Sequence, residues 1–197
     1  MKKNLAFTAF LIIIFLSISK VHSIGPDVFV QSTVNRASEV LGGEYTKQEK
    51  INKLKKIAKD TVDIKGIGSY TLGKHRKKLN SEQKKIYRYL FEKYFLKTFA
   101  SRLAQYTNPE VRVDASDKLN KNYTMVHSVL IATEQRPEIK IDWRVYTKDP
   151  NNLLIRDLII EGLSLVRTQK EEFNSIISSN DGNIDFLFIS LNQFINK

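Results

Sequence analysis

Ile139-Lys140-Ile141-Asp142-Trp143-Arg144-Val145-Tyr146 is the stretch that decides the fold. Its side chains alternate without a fault. Ile139, Ile141, Trp143 and Val145 fall on one side, and Lys140, Asp142, Arg144 and Tyr146 on the other. A period of two is that of a β-strand with one face on a core. The pattern extends in both directions. Upstream, Tyr123 to Glu134 is rich in β-formers, with Met125, His127, Val129 and Ile131 on one face and Val126, Ser128 and Leu130 on the other. Before it, Val111-Arg112-Val113-Asp114 alternates as well. Downstream, Asp149-Pro150-Asn151-Asn152 makes a turn, and Leu153 to Leu163 reads as one strand, apolar on both faces and therefore central. Consecutive strands joined by short turns predict an antiparallel meander.

Helices flank this centre. Pro26-Asp27 opens one, with Val30, Val34, Ala37 and Leu41 on a stripe and Gly42-Gly43 at its end. Thr46-Lys47-Gln48-Glu49 has capping-box spacing before Ile51, Leu54, Ile57 and Ala58. Thr61 to Leu79, broken by Gly66, Gly68 and Gly73, reads as short helical turns and loops. Asn80-Ser81-Glu82-Gln83 starts the longest helix, expected to run to about Tyr106 before Asn108-Pro109 stops it. Phe91, Phe95, Phe99 and Leu103 recur at i+4 along it and form one ridge. Ser164 caps a helix carrying Leu165, Val166, Phe173, Ile176 and Ile177, and after Gly182 a last helix uses Ile184, Leu187, Phe188, Leu191 and Ile195. The expected class is α+β, with helices packed on a curved, twisted antiparallel sheet.

The first 23 residues have another character. Met1-Lys2-Lys3 is basic, Leu5 to Ile18 almost wholly apolar, and Ser19 to Ser23 polar, with Val21 and Ser23 placed for a signal peptidase. This predicts a signal peptide over 1–23, cleaved before Ile24, and a single domain over 24–197. The apolar run is shorter than the ~20 residues a spanning helix needs. Export turns attention from nucleic acid to anionic membrane surfaces as partners of a basic chain. The chain holds 32 Lys+Arg against 21 Asp+Glu, and without Lys2, Lys3 and Lys20 the mature part keeps a net charge of +8. There is no cysteine, so a thiol enzyme and a lipidated-cysteine anchor are both excluded.

Catalytic residues are scarce. His75 lies in the basic run Lys74-His75-Arg76-Lys77-Lys78 and is expected in a solvated loop. His127 stands on a strand, where it is either a hydrogen-bonded structural residue or a general base with Asp142 or Asp157. No spacing offers a metal site, and Gly66-Ile67-Gly68 lacks the context of a phosphate cradle. What is abundant is aromatic and aliphatic surface. A long aromatic helix facing a curved sheet makes either a filled core or a cavity, and composition alone leaves both open.

Ile155-Arg156-Asp157-Leu158-Ile159-Ile160-Glu161-Gly162-Leu163-Ser164-Leu165-Val166 resembles the most characteristic segment of the MlaC family, also called the toluene-tolerance family: an aspartate, a hydrophobic stretch, then Glu-Gly-Val-Ser-Leu. Phe173 and Gly182-Asn183-Ile184-Asp185-Phe186-Leu187 continue the likeness. So do Val62-Asp63-Ile64 through Leu72-Gly73, and Ser81-Glu82-Gln83 followed by Phe91, Phe95, Phe99-Ala100 and Tyr106. Two places depart from the pattern: Leu153 or Leu154 replaces a frequent Trp, and Gln169-Lys170 a frequent Tyr-Arg.

The resemblance implies a periplasmic, monomeric phospholipid carrier without cofactor, metal or enzymatic activity. Such a protein moves lipid between an outer-membrane lipoprotein–porin complex and an inner-membrane Mla-type ABC transporter complex, and so maintains outer-membrane lipid asymmetry. Nucleic acid is no partner. The implied fold encloses an apolar pocket between sheet and helices. In this sequence the expected lining is Phe91, Phe95, Phe99 and Leu103 from the ridge, with Ile141, Trp143, Val145 and Leu163 from the sheet. Arginine at Phe95 or at Val145 is expected to empty such a pocket. Two other classes stay open: an enzyme on a similar cone, with His127 at work, and a lipid-free adaptor with a filled core.

Overall fold

The computed structural model describes residues 24–197, and the expected signal peptide lies outside the described residues. Six α-helices and five strands follow one another: α1 Pro26–Gly42, α2 Lys47–Thr61, α3 Ile64–Thr71, α4 Ser81–Leu103, β1 Val111–Asn120, β2 Tyr123–Leu130, β3 Ile139–Tyr146, β4 Leu154–Ile160, β5 Leu163–Ser164, α5 Leu165–Ser178 and α6 Asp185–Asn196. A 3₁₀ turn, Gly73–Lys77, joins α3 to α4. The strands form one open sheet in the order β1-β2-β3-β4-β5, every pair antiparallel, as the alternating runs and short turns require. Bulges in β1, at Asp114 between Val113 and Ala115, and in β4, at Arg156 opposite Arg144 and Val145, add local twist.

Helix starts are where their caps put them. Thr46 and Glu49 exchange capping-box bonds ahead of α2, and Asn80 and Gln83 do the same ahead of α4. Ser164 Oγ accepts from the Arg167 amide at the start of α5. Several bounds differ from the sequence reading. Helix α4 stops at Leu103, because the chain tightens there into turns in which the Gln105 amide bonds to the Arg102 carbonyl and the Tyr106 amide to that of Leu103. Strand β1 runs to Asn120, six residues past Asp114, because its bulge preserves pairing with β2 where the alternation fails. The largest difference is in 153–163, which is two strands. Glu161 (φ 49°) and Gly162 (φ 80°) both take the left-handed region, and that pair of angles makes a two-residue hairpin turn. Continuous apolarity on both sides of the turn hides it in the sequence.

Three apolar clusters hold the layers together. The main one joins α3, α4, α5 and α6 around Tyr87, Phe91, Phe173, Ile177, Leu187 and Leu191. Gly68 lets α3 approach α4 closely: a β-carbon there would lie 2.7 Å from the Phe91 ring. A second cluster seats Val30 and Val34 of α1 on Val126 and Val145 of the sheet, with Leu153. A third ties Leu41, Leu54 and Ala100, so α1 and α2 reach the C-terminal end of α4. Each fully buried valine, leucine, isoleucine or phenylalanine among them contributes about 1.5–3 kcal/mol. At the open edge of β1, Gln31 of α1 acts as a short strand would: its Oε1 accepts from the Val113 amide at 3.2 Å and its Nε2 donates to the Val111 carbonyl at 3.4 Å.

His75 is a correction to the sequence reading. It is buried, 6% exposed, and its Nε2 is 3.0 Å from Asn174 Oδ1 on α5. The four cations around it face solvent, but the tight turn folds the imidazole inward. Among the described residues, no helix is long and apolar enough to cross a membrane.

Candidate functional site

The strand register decides what shares a face. Val126 lies opposite Trp143 and Trp143 opposite Leu158, while Ser128 lies opposite Ile141. Val126, Ser128, Ile141, Trp143, Val145 and Leu158 therefore line the inner face, toward the helices. Trp143 is fixed there: its indole donates to Ser128 Oγ at 2.8 Å, and that hydroxyl donates to the Ile141 carbonyl at 2.9 Å. On α4 the Phe91 and Phe95 rings lie 6.0 Å apart, and those of Phe95 and Phe99 5.8 Å apart and nearly parallel.

The eight expected lining residues take different positions. Phe91 is sealed within the main cluster, in edge contact with Phe173. Phe95, Phe99 and Trp143 are half-buried and pack against that same cluster. Ile141 is half-buried beside Trp143 on the inner face. Leu103 belongs to the third cluster, at the far end of α4. Val145 is fully buried beneath α1, so arginine there would break the second cluster, and Phe95 is the sounder test of a pocket. Leu163 is 60% exposed, because it follows the hairpin turn onto the short edge strand β5. Phe29 and Leu158, not singled out in the sequence, join Phe95, Phe99 and Trp143 as half-buried side chains against the main cluster.

A cleft of about 410 Å³ opens beside this cluster, walled by α3, the β1–β2 turn, β4 and the start of α5. Ile67 and Val166 form its apolar floor and belong to, or pack on, the main cluster. Leu119 and Tyr123 come from the hairpin, Arg144 and Arg156 from β3 and β4. Arg156 pairs with Asp63 and lies over the Tyr146 ring, 4.7 Å from its centroid. Asp157, 3% exposed, is the organising carboxylate. It accepts from Ser164 Oγ at 2.6 Å, from the Val166 amide at 3.2 Å and from the Arg144 guanidinium at 3.4 Å. The segment carrying Asp157, Gly162 and Ser164 thus makes the hairpin, caps α5 and orients one arginine of the cleft. An apolar floor with cations at the rim suits an amphiphile with an anionic head.

His127 sits on the outer face, opposite to Trp143. Its Nδ1 is 2.8 Å from Asp142 of β3 and its Nε2 3.2 Å from Asp117 of β1. Both nitrogens are engaged, so the ring ties three strands together and has no free nitrogen to act as a base. The Asp142 hydrogen bond, reinforced by Asp117 and only partly opposed by burial, raises the imidazole above its ordinary value of 6.5. A raised folded-state value stabilises the protein fully below about pH 6.5, and this contribution fades as pH climbs through the folded-state value. Thermal melts of wild type and His127→Gln across this range should converge at high pH and separate at low pH, with wild type the more stable; parallel curves would refute the clamp.

The MlaC protein family model matches residues 31–193. Among solved structures, the phospholipid-binding protein from Ralstonia solanacearum, in complex with a phospholipid, shares the fold with a TM-score of 0.75. The two are 21% identical, over 88% of this chain and 98% of that one. No curated protein matches the chain.

Proposed function

The chain belongs to the MlaC family, and from that premise we propose that it is a phospholipid-binding protein rather than an enzyme, exported by residues 1–23 and acting over 24–197 as a monomeric periplasmic carrier. Acyl tails lie against Phe95, Phe99, Trp143, Ile141 and Leu158 on the inner face of the sheet, and pass Ile67 and Val166, which belong to both the main cluster and the cleft, to reach the outer side, which Arg144 faces. The phosphate stays at the rim near Arg144 and Arg156. The carrying observation is the set of half-buried aromatic and aliphatic side chains on the main cluster, which a tail can cover by shifting rotamers. Each methylene so buried is worth about 0.8 kcal/mol, so two tails suffice for tight binding without any catalytic group. The phospholipid held by the Ralstonia relative supports the same reading. The partners of such a carrier are an outer-membrane lipoprotein–porin complex and an inner-membrane Mla-type ABC transporter complex.

The test is native mass spectrometry of residues 24–197, purified from a bacterial periplasm without detergent, followed by lipid extraction. A stoichiometric phospholipid is expected. A well-folded, lipid-free monomer would overturn the carrier and make the aromatic ridge a plain core.

A further inference from the structure

Helix α3 is the wall between two clefts. Ile67 and Tyr70 face the one described above, while Ile64, Lys65, Gly68 and Leu72 face a second, of about 310 Å³, between α3 and α4. The second cleft differs in its charge. Lys65 from α3, Arg76 from the 3₁₀ turn, and Lys84 and Arg88 from α4 line it. All four are exposed, and among the described residues none of them forms an ion pair. Its one carboxylate, Glu92, is 3.0 Å from Lys59 of α2 and so is already partnered. Four cations on three elements thus line one small concavity against a single carboxylate that Lys59 already pairs. The floor beneath is apolar: Ile64 is half-buried, with Leu72 and Phe91 below it.

We infer that this α3–α4 cleft is a second binding site, separate from the tail pocket, that takes a phosphate ester. Four donors on a concave surface match the charge and size of a phosphate group, whose oxygens accept from several guanidinium and ammonium groups at once. Small volume and a mostly covered floor leave room for a phosphate with its glycerol, not for an acyl chain. The group can come from a lipid headgroup at a membrane surface or from a soluble phosphate compound. Because the cations are exposed, affinity falls as salt rises. The inference does not rest on the carrier reading, since it concerns the other side of α3.

The probes are inorganic phosphate and dihexanoyl phosphatidylglycerol below its micelle concentration, each titrated into the mature protein and followed by amide shifts in NMR. Both should move amides of α3, the 3₁₀ turn and the first half of α4. The K84E/R88E variant, altered only at exposed positions, should bind each about thirtyfold more weakly, as expected for reversing two near-surface charges. Tighter binding of the lipid than of inorganic phosphate would assign the site to headgroups, and equal binding to a soluble phosphate; either supports the site. Absent shifts there, or equal binding by the variant, would overturn it. Phe95→Arg should leave these shifts in place. A lipid-free protein in the mass-spectrometric test would fail the carrier without touching this result.

Discussion

Asp157→Ala is expected to lower the melting temperature by about 6–12 °C. The carboxylate is buried and satisfies the Ser164 hydroxyl, the Val166 amide and the Arg144 guanidinium together. Hydrogen bonds to a charged group are worth about 1.5–3 kcal/mol each, and they are not additive when they share one acceptor. A loss of about 3 kcal/mol is a fair sum for a side chain whose partners are left facing a void. At this chain length each 1 kcal/mol moves the midpoint by about 2–4 °C. Asp157→Asn, which preserves shape but loses the charge and turns an NH2 toward one of these donors, should fall between alanine and wild type. Thermal unfolding followed by circular dichroism measures both. An alanine variant that melts with wild type would show that this carboxylate organises nothing.

Phe95→Arg is expected to abolish co-purifying phospholipid while the protein still folds. Phe95 is half-buried, stacked with Phe99 on one side and near Phe91 on the other. An arginine there can bend its head toward solvent along the α4 surface, so the fold tolerates it at a moderate cost. A tail lying on the ridge would meet a guanidinium in an apolar groove, which is a far larger penalty. Lipid extraction with a melting curve on the same sample separates the two effects. Full lipid content in a folded Phe95→Arg protein would remove the α4 ridge from the pocket.

The residues that spoke plainly in the sequence were those with one unambiguous environment. Ile139 to Tyr146 alternates because one face of β3 meets helices and the other does not, and the observed register follows from that. The caps at Thr46, Asn80 and Ser164 were readable because each is a local bond within four residues. The hairpin at Glu161–Gly162 was not, since apolar residues flank it on both sides and one glycine does not distinguish a turn from a bend. His75 was misread because four charged neighbours set the local average while the 3₁₀ turn set the direction of the ring. Leu163 and Val145 share an apolar character yet end at opposite extremes of exposure, because chain topology decides which of them α1 covers. Both clefts were invisible for the same reason. Arg144 and Arg156 come from neighbouring strands and line one cleft with Ile67 from α3, while Lys65 and Arg88 line the other from two helices. Only tertiary packing brings such groups together.

The Gln31 amide on the β1 edge has a bearing on how the protein behaves among its neighbours. An open ten-residue edge strand is a template on which a second molecule can add its own strand, the first step toward fibrils. Here the first rungs of that template are occupied by a side chain, and further along the strand Asp114, Asp117 and Lys118 are exposed charges of both signs. The opposite edge, β5, is two residues long and passes straight into a helix. Both margins of the sheet are thus blunted, one by a side chain and charges and the other by its brevity, which disfavours strand addition in a crowded compartment.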